Sequence, residues 1–191
     1  TIMPVQVAEK GIAWLRITAR GPTGHGSTPR AESAVGKLGR ALSKLVGGRL
    51  PQHNTAVVEN FIRRLAALQP LPERLVLPRL LNRHLAPLVL DQLMPGGDTS
   101  RIFDALLRNT ASPTVLRGGD KTNVIPDEVS VDIDGRLLPG QTAASFVAEI
   151  KAALGDLAEE LEVRVLREAP ATSNYPPESP LWMAIQRAVG R

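Results

Sequence analysis

Residues 12–29 read IAWLRITARGPTGHGSTP, and the two halves of this stretch obey different rules. In the first half Ala13, Leu15, Ile17 and Ala19 alternate with Trp14, Arg16, Thr18 and Arg20, the period-two pattern of a strand with one buried face. The second half sets His25 among Gly21, Gly24 and Gly26. Thr28 is placed to cap a helix with Pro29 at its first position, where a missing N–H costs nothing. Ala31, Ala34, Val35, Leu38, Ala41, Leu42 and Leu45 then recur at three-and-four spacing until Gly47-Gly48 ends the helix.

A matching unit lies far downstream. TVLRGG (114–119) reads as a strand, KTNVIPD as a turn, and EVSVDIDGRLL (128–138) as a second strand with Val129, Val131 and Ile133 on one face. Thr142 caps a helix whose buried stripe is Phe146, Val147, Ile150, Ala153 and Leu154, closed by Gly155, and LEVRVLRE (161–168) is the fourth strand. Between the units, residues 54–109 are densely apolar but broken by Pro70, Pro72, Pro78, Pro87 and Pro95 into short helical pieces, the last capped by Asp98. The order strand, helix, strand, strand, helix, strand predicts an α+β, two-layer sandwich. This is the ferredoxin-like βαββαβ arrangement, with an antiparallel four-stranded sheet and a helical insertion.

At 191 residues the chain has room for one main domain plus extra elements, and 43% apolar against 22% charged residues allows a sizeable core. Its formal charge of +4 rests on scattered residues such as Arg16, Arg20, Arg63, Arg64, Arg117 and Arg164. Aromatics at 3% are too few for a base-stacking platform, so nucleic acid is not an expected partner. Without cysteine there are no disulfides or thiolate metal sites, which suits a reducing compartment. No 18-residue apolar run occurs and TIMPVQVAEKG is unlike a signal peptide, so the expectation is a soluble, cytoplasmic chain with no membrane partner. The helical pattern PLWMAIQRAVGR still runs at Arg191, as it would in a piece of something longer.

Catalytic metal centres need clustered His, Asp or Glu. Here His25, His53 and His84 are dispersed, HExxH and H-x-D are absent, and Glu159-Glu160 reads as a solvated pair. No Ser lies in G-x-S-x-G, and the glycines of 21–26 fit neither a P-loop nor a dinucleotide fingerprint. Three polar residues stand out. His25, on a glycine loop before a helix, is either an exposed cap or a hydrogen-bond donor to a ligand. Asn123 is either a turn residue or a ligand contact. Arg136 either pairs with Asp134 or Asp132 on its own strand or grips a carboxylate bidentately.

Together these residues carry a resemblance. GHGSTP (24–29) before an amphipathic helix, then LRGGDKTNVIPDEVSVDIDGRLLPGQT (116–142), resemble the dimerisation or lid domain of the M20 family of zinc-dependent aminoacylases, carboxypeptidases and succinyl-diaminopimelate desuccinylases. The resemblance covers about residues 6–168, with 54–109 as an insertion. Residues 169–191, including PESPLWMAIQRAV (177–189), would begin the second half of a catalytic domain. It implies a lid inserted between two catalytic halves that hold two metal ions, zinc or cobalt, with none bound by this chain. It also implies a homodimer acting on the amide bond of an N-acyl amino acid or dipeptide. In this likeness His25 is the lid histidine that enters the partner subunit's active site and stabilises the oxyanion, a role suited to a donor on an adjustable loop. Asn123 matches an asparagine that contacts substrate, Arg136 the arginine that binds its carboxylate, and Gly118 and Gly119 a backbone segment near the substrate. The long insertion is closer to the aminoacylase and carboxypeptidase-S branch. A different reading of the same fold is a stand-alone ferredoxin-like module that binds a small ligand without catalysis.

Overall fold

A computed structural model describes residues 5–94, 97–174, 176 and 179–189. Pro95, which the sequence reading placed among the helix breakers, and Pro177 and Glu178 of the C-terminal motif lie outside the described residues. The alternating stretch around Leu15 forms β1 (Gly11–Arg20), followed by α1 (Ala34–Gly47). In the insertion, α2 (Ala56–Ala67) and α3 (Asp98–Leu107) flank shorter helical turns. The chain then forms β2 (Thr110–Arg117), β3 (Glu128–Leu137), α4 (Ala143–Leu154), β4 (Leu161–Ala169) and α5 (Pro180–Val189). No helix among the described residues is long and apolar enough to cross a membrane.

The four long strands lie in the order β2-β3-β1-β4 with every neighbouring pair antiparallel, as the βαββαβ reading requires. Both long helices cover one face. Ala34, Leu38, Ala41 and Leu45 of α1 and Ala143, Phe146, Ile150 and Leu154 of α4 pack on Ala13, Leu15, Ile17, Val131 and Ile133. Gly135 is what lets Phe146 sit on the sheet: a Cβ there would come within 2.3 Å of both the Phe146 ring and the Ala13 carbonyl oxygen. The insertion has a separate core around Ile62, Leu80, Val89, Leu90, Phe103 and Leu107.

Several expected boundaries moved. Thr28 does not cap α1; its N–H closes a turn on the His25 carbonyl, and the cap is Ser33, whose Oγ accepts from the Gly36 N–H at 3.1 Å. Ala31 therefore precedes the helix and is exposed, and Val35 and Ala153 also lie off the buried stripes. Asp98 is the first helical residue of α3 and Gly97 holds the cap position. β2 begins at Thr110 rather than 114 and stops before Gly118. Its Pro113 is tolerated because β2 is an edge strand, and the ladder is irregular between Pro113 and Val115. The Thr142 cap is present and is reinforced by Ser145, whose hydroxyl accepts from the Thr142 N–H.

The segments before β1 and after β4 meet. Ala8–Glu9 and Thr172–Ser173 pair antiparallel, so the chain enters and leaves the sheet side by side.

Candidate functional site

The glycine loop and the NVIP stretch, about a hundred residues apart, are joined by backbone hydrogen bonds. Gly21 N–H donates to the Asp127 carbonyl at 2.9 Å and Gly26 N–H to the Asn123 carbonyl at 2.8 Å. Between them the short strands Gly24–His25 and Val124–Ile125 pair, with His25 opposite Val124, and the Thr23 hydroxyl donates to the Ile125 carbonyl at 2.9 Å. The sequence reading took KTNVIPD as a turn, so this pairing corrects it; two-residue strands are too short to show any periodicity.

His25 is exposed on this loop, and its Nδ1 is engaged. The Ser27 backbone N–H donates to it at 3.2 Å and the Ser27 hydroxyl lies 2.8 Å away. An N–H donated to Nδ1 needs a lone pair there, so the neutral ring carries its proton on Nε2. The exposed imidazole thus keeps its Nε2–H as a donor. Asn123 is exposed beside it, one residue before the paired strand.

Gly118 and Gly119 turn the chain out of β2 toward Asn123, with φ of 138° and 78°. At Gly118 a Cβ would lie 2.5 Å from Cγ1 of Val129 and in a backbone region that side chains disfavour, so the close approach is to β3 itself. At Gly119 the nearest such contact, Pro126 Cγ, is 3.8 Å away.

Arg136 is not part of this cluster. On β3 the residue beside the loop is Glu128, paired with Arg20, and Arg136 lies eight positions away opposite Ile12 and Thr110. At about 3.3 Å per residue that is roughly 26 Å of strand. Of the two candidate partners Arg136 takes Asp134, with Nε 3.0 Å from Oδ1 and Nη2 3.1 Å from Oδ2. The other candidate, Asp132, is held by Arg16 and Arg117 from the flanking strands. Hydrogen bonding from Arg16, then from Arg117, keeps the Asp132 carboxyl below the usual carboxylate range. Asp134 also accepts from the Trp14 indole N–H at 2.9 Å, and the Arg167 guanidinium stacks 5.1 Å from the Trp14 ring centre. These contacts lie on the sheet face that the helices leave uncovered. Trp14 and Asp134 are direct cross-strand neighbours, which alternation alone could not reveal before the register was known.

Among the described residues no group of three or more His, Asp or Glu side chains is placed to hold a metal ion, so the residues present do not fit a metal centre. What they offer is hydrogen-bond donation at one end of the sheet and positive charge at the other.

The profile of the M20 peptidase dimerisation domain matches residues 7–162. Probable carboxypeptidase S-like 2 of Dictyostelium discoideum is 30% identical over 157 residues, covering 81% of this chain and 28% of that protein. The N-fatty-acyl-amino acid synthase/hydrolase PM20D1 of Bos taurus is 31% identical over 153 residues, covering 80% of this chain and 29% of that protein. The chain spans less than a third of the length of these relatives. Human carnosine dipeptidase 1 shares the fold with a TM-score of 0.55 at 13% identity, over 96% of this chain and 42% of that one. The M20 metallo-carboxypeptidase Sso-CP2 of Sulfolobus solfataricus does so with 0.52 at 17% identity, over 97% and 44%.

Proposed function

Because the chain belongs to the M20 peptidase dimerisation-domain family, we propose that it is the lid of a homodimeric hydrolase that cleaves amide bonds of N-acyl amino acids or dipeptides. In this reading His25 serves the active site of the partner subunit. The observation that carries it is the paired loop, which fixes the backbone on both sides of an exposed His25 and leaves its Nε2–H as the donor. A donor so held suits the negative charge that develops on the carbonyl oxygen when an amide is attacked. Asn123, beside it, would contact the same substrate, and Arg136 would take its carboxylate.

Three further features support this reading. His25 and Arg136 stand at opposite ends of the sheet, too far apart to meet one small substrate within a single copy. A two-fold pair removes the conflict, with His25 coming from one copy and Arg136 from the other. The edge strand β2 has one unpaired side, and Val115 and Leu116 on it and Val35 on α1 are exposed, as a surface that receives a second copy would be. The side-by-side strands 8–9 and 172–173 give the chain the geometry of a domain inserted into another. Residues 169–191, with α5, would then lead into the second catalytic half. Zinc or cobalt would be held by the two catalytic halves and not by this chain. The names of the relatives, a carboxypeptidase S-like protein and an N-fatty-acyl-amino acid hydrolase, favour an N-acyl amino acid as substrate.

His25→Ala in the full-length enzyme tests this. Turnover should fall by about a hundred- to a thousand-fold, the loss seen when one oxyanion donor is removed, while the unfolding temperature stays the same. Unchanged turnover sinks the role.

A further inference from the structure

Residues 63–83 of the insertion read RRLAALQPLPERLVLPRLLNR, five arginines against one acid, Glu73. That surplus equals the formal charge of the whole chain, +4, because outside this segment Lys and Arg are matched in number by Asp and Glu. The segment comprises the end of α2, a proline-bounded turn and the short helical pieces Glu73–Val76 and Leu77–Leu81. Leu77 and Leu80 belong to the insertion core, but Leu68, Leu71 and Leu75 are 64%, 69% and 60% exposed. Ala67, Pro70 and Pro72 are exposed with them, so this tip shows apolar side chains to its surroundings. The five arginines are exposed too, and have little counter-charge. Arg63 pairs with Glu59 at 2.7 Å, whereas Arg64 bonds the neutral Asn60 and Arg83 the His84 ring. Arg74 and Arg79 have no ion pair among the described residues.

We propose that this tip docks the protein on an anionic phospholipid surface, with Leu68, Leu71 and Leu75 entering the acyl boundary and Arg64, Arg74, Arg79 and Arg83 meeting the lipid phosphates. Leucines ringed by cations are the composition that such an interface attracts, and it requires no membrane span. The segment has no aromatic residue, so it offers nucleic acid no stacking surface. Its place in the fold keeps it clear of the point where the chain enters and leaves the domain. Ala56 and Val57, at the start of α2, share a cavity with Ser173, which pairs with Ala8 at that point. From there the 12 residues of α2 carry the chain about 18 Å to the tip. The proposal does not depend on the roles given to His25 and Arg136.

The test is flotation of the full-length protein with vesicles of phosphatidylcholine alone or with about one-third phosphatidylglycerol, at about 0.1 M and about 1 M salt. The wild type should bind the anionic vesicles at least about tenfold more tightly than the neutral ones, and lose that preference in high salt. Replacing the leucines together (Leu68→Ser, Leu71→Ser, Leu75→Ser) should weaken binding to anionic vesicles by about a hundredfold. Replacing the arginines (Arg74→Gln, Arg79→Gln, Arg83→Gln) should do the same on anionic vesicles and leave neutral ones unaffected. All six side chains are exposed, so the unfolding temperature should not change. A wild type that floats with neither vesicle overturns the proposal, and so does binding that survives the leucine replacements. Retention on polyglutamate without vesicle binding would assign the surface to an acidic polypeptide and overturn it as well. A lower unfolding temperature in the leucine variant would mean that another part of the full-length chain covers the tip, which also overturns it.

Discussion

The two ends of the sheet are built on opposite plans. At the His25 end the backbone is tied, through Gly21, Gly24, Gly26 and the 123–127 segment, while the imidazole is exposed and, among the described residues, hydrogen-bonded only to Ser27. At the Arg136 end the ladder is irregular between Trp14 and Leu15, and it is the side chains that are tied, Arg136 to Asp134, Asp134 to Trp14, and Trp14 under Arg167. Under the proposed function His25 would reach an oxygen in another subunit, which needs a positioned base and a free tip, and Arg136 would receive a carboxylate, which needs a fixed plane. The first end should therefore be fragile to changes in backbone conformation, and the second to changes in what lies under or beside its strand.

The sharpest way to break this contrast is Gly118→Ala. The substitution combines a φ of 138° with a Cβ 2.5 Å from Val129 Cγ1 and 3.0 Å from its Cα, so β3 and the turn cannot both stay in place. Left-handed strain and overpacking together should cost about 2–5 kcal/mol in denaturant unfolding. Gly119→Ala has a φ of 78° but only an ordinary contact with Pro126 Cγ at 3.8 Å, and should cost only the strain, about 1–2 kcal/mol. Equal losses at the two positions would show that the contact with Val129 does not matter.

At the other end the matching change is Gly135→Ala, directly beneath Arg136 on the core face. Its Cβ meets the Ala13 carbonyl oxygen and the Phe146 ring, both at 2.3 Å, and the ring is the part that can yield. Overpacking of about 1–3 kcal/mol is expected. Phe146→Leu in the same background should recover the part of it that comes from the ring edge, and leave the part that comes from the Ala13 carbonyl. No recovery would place the strain in the β1 backbone instead.

The sheet and its two helices were legible in the sequence because each rests on a repeating pattern: Leu15 and Ile17 on β1, Val131 and Ile133 on β3, and Phe146 and Ile150 on α4 are all buried. The errors fall where a single side chain or proline decides. Ser33 and Thr28 are both good caps, and only the turn that uses the Thr28 N–H separates them. Pro113 made β2 read as if it began after the proline, since its edge position is a property of the assembled sheet. The pairing of 24–25 with 124–125 has no local signal, and the choice between Asp134 and Asp132 for Arg136 depends on Arg16 and Arg117 arriving from neighbouring strands.

The smallest effect belongs to the middle of the open face, where Asp132 links β1 to the edge strand through Arg16 at 2.8 Å and Arg117 at 2.7 Å. Its carboxyl is held below the ordinary value of about 3.9, so an unfolded chain takes up that proton at a higher pH than the folded one. The stabilisation from Asp132 is therefore complete above the unfolded pKa and drains away as the pH drops through the folded value. Asp132→Asn should lower the unfolding temperature by about 1–2 °C at pH 7, and the gap between mutant and wild type should narrow as the pH falls below the ordinary carboxylate range. Because Asp132 is partly screened by solvent, 1 M salt should also narrow the gap at pH 7. A gap that persists in acid and in 1 M salt would mean that shape and hydrogen bonding, rather than charge, join β2 to the centre of the sheet.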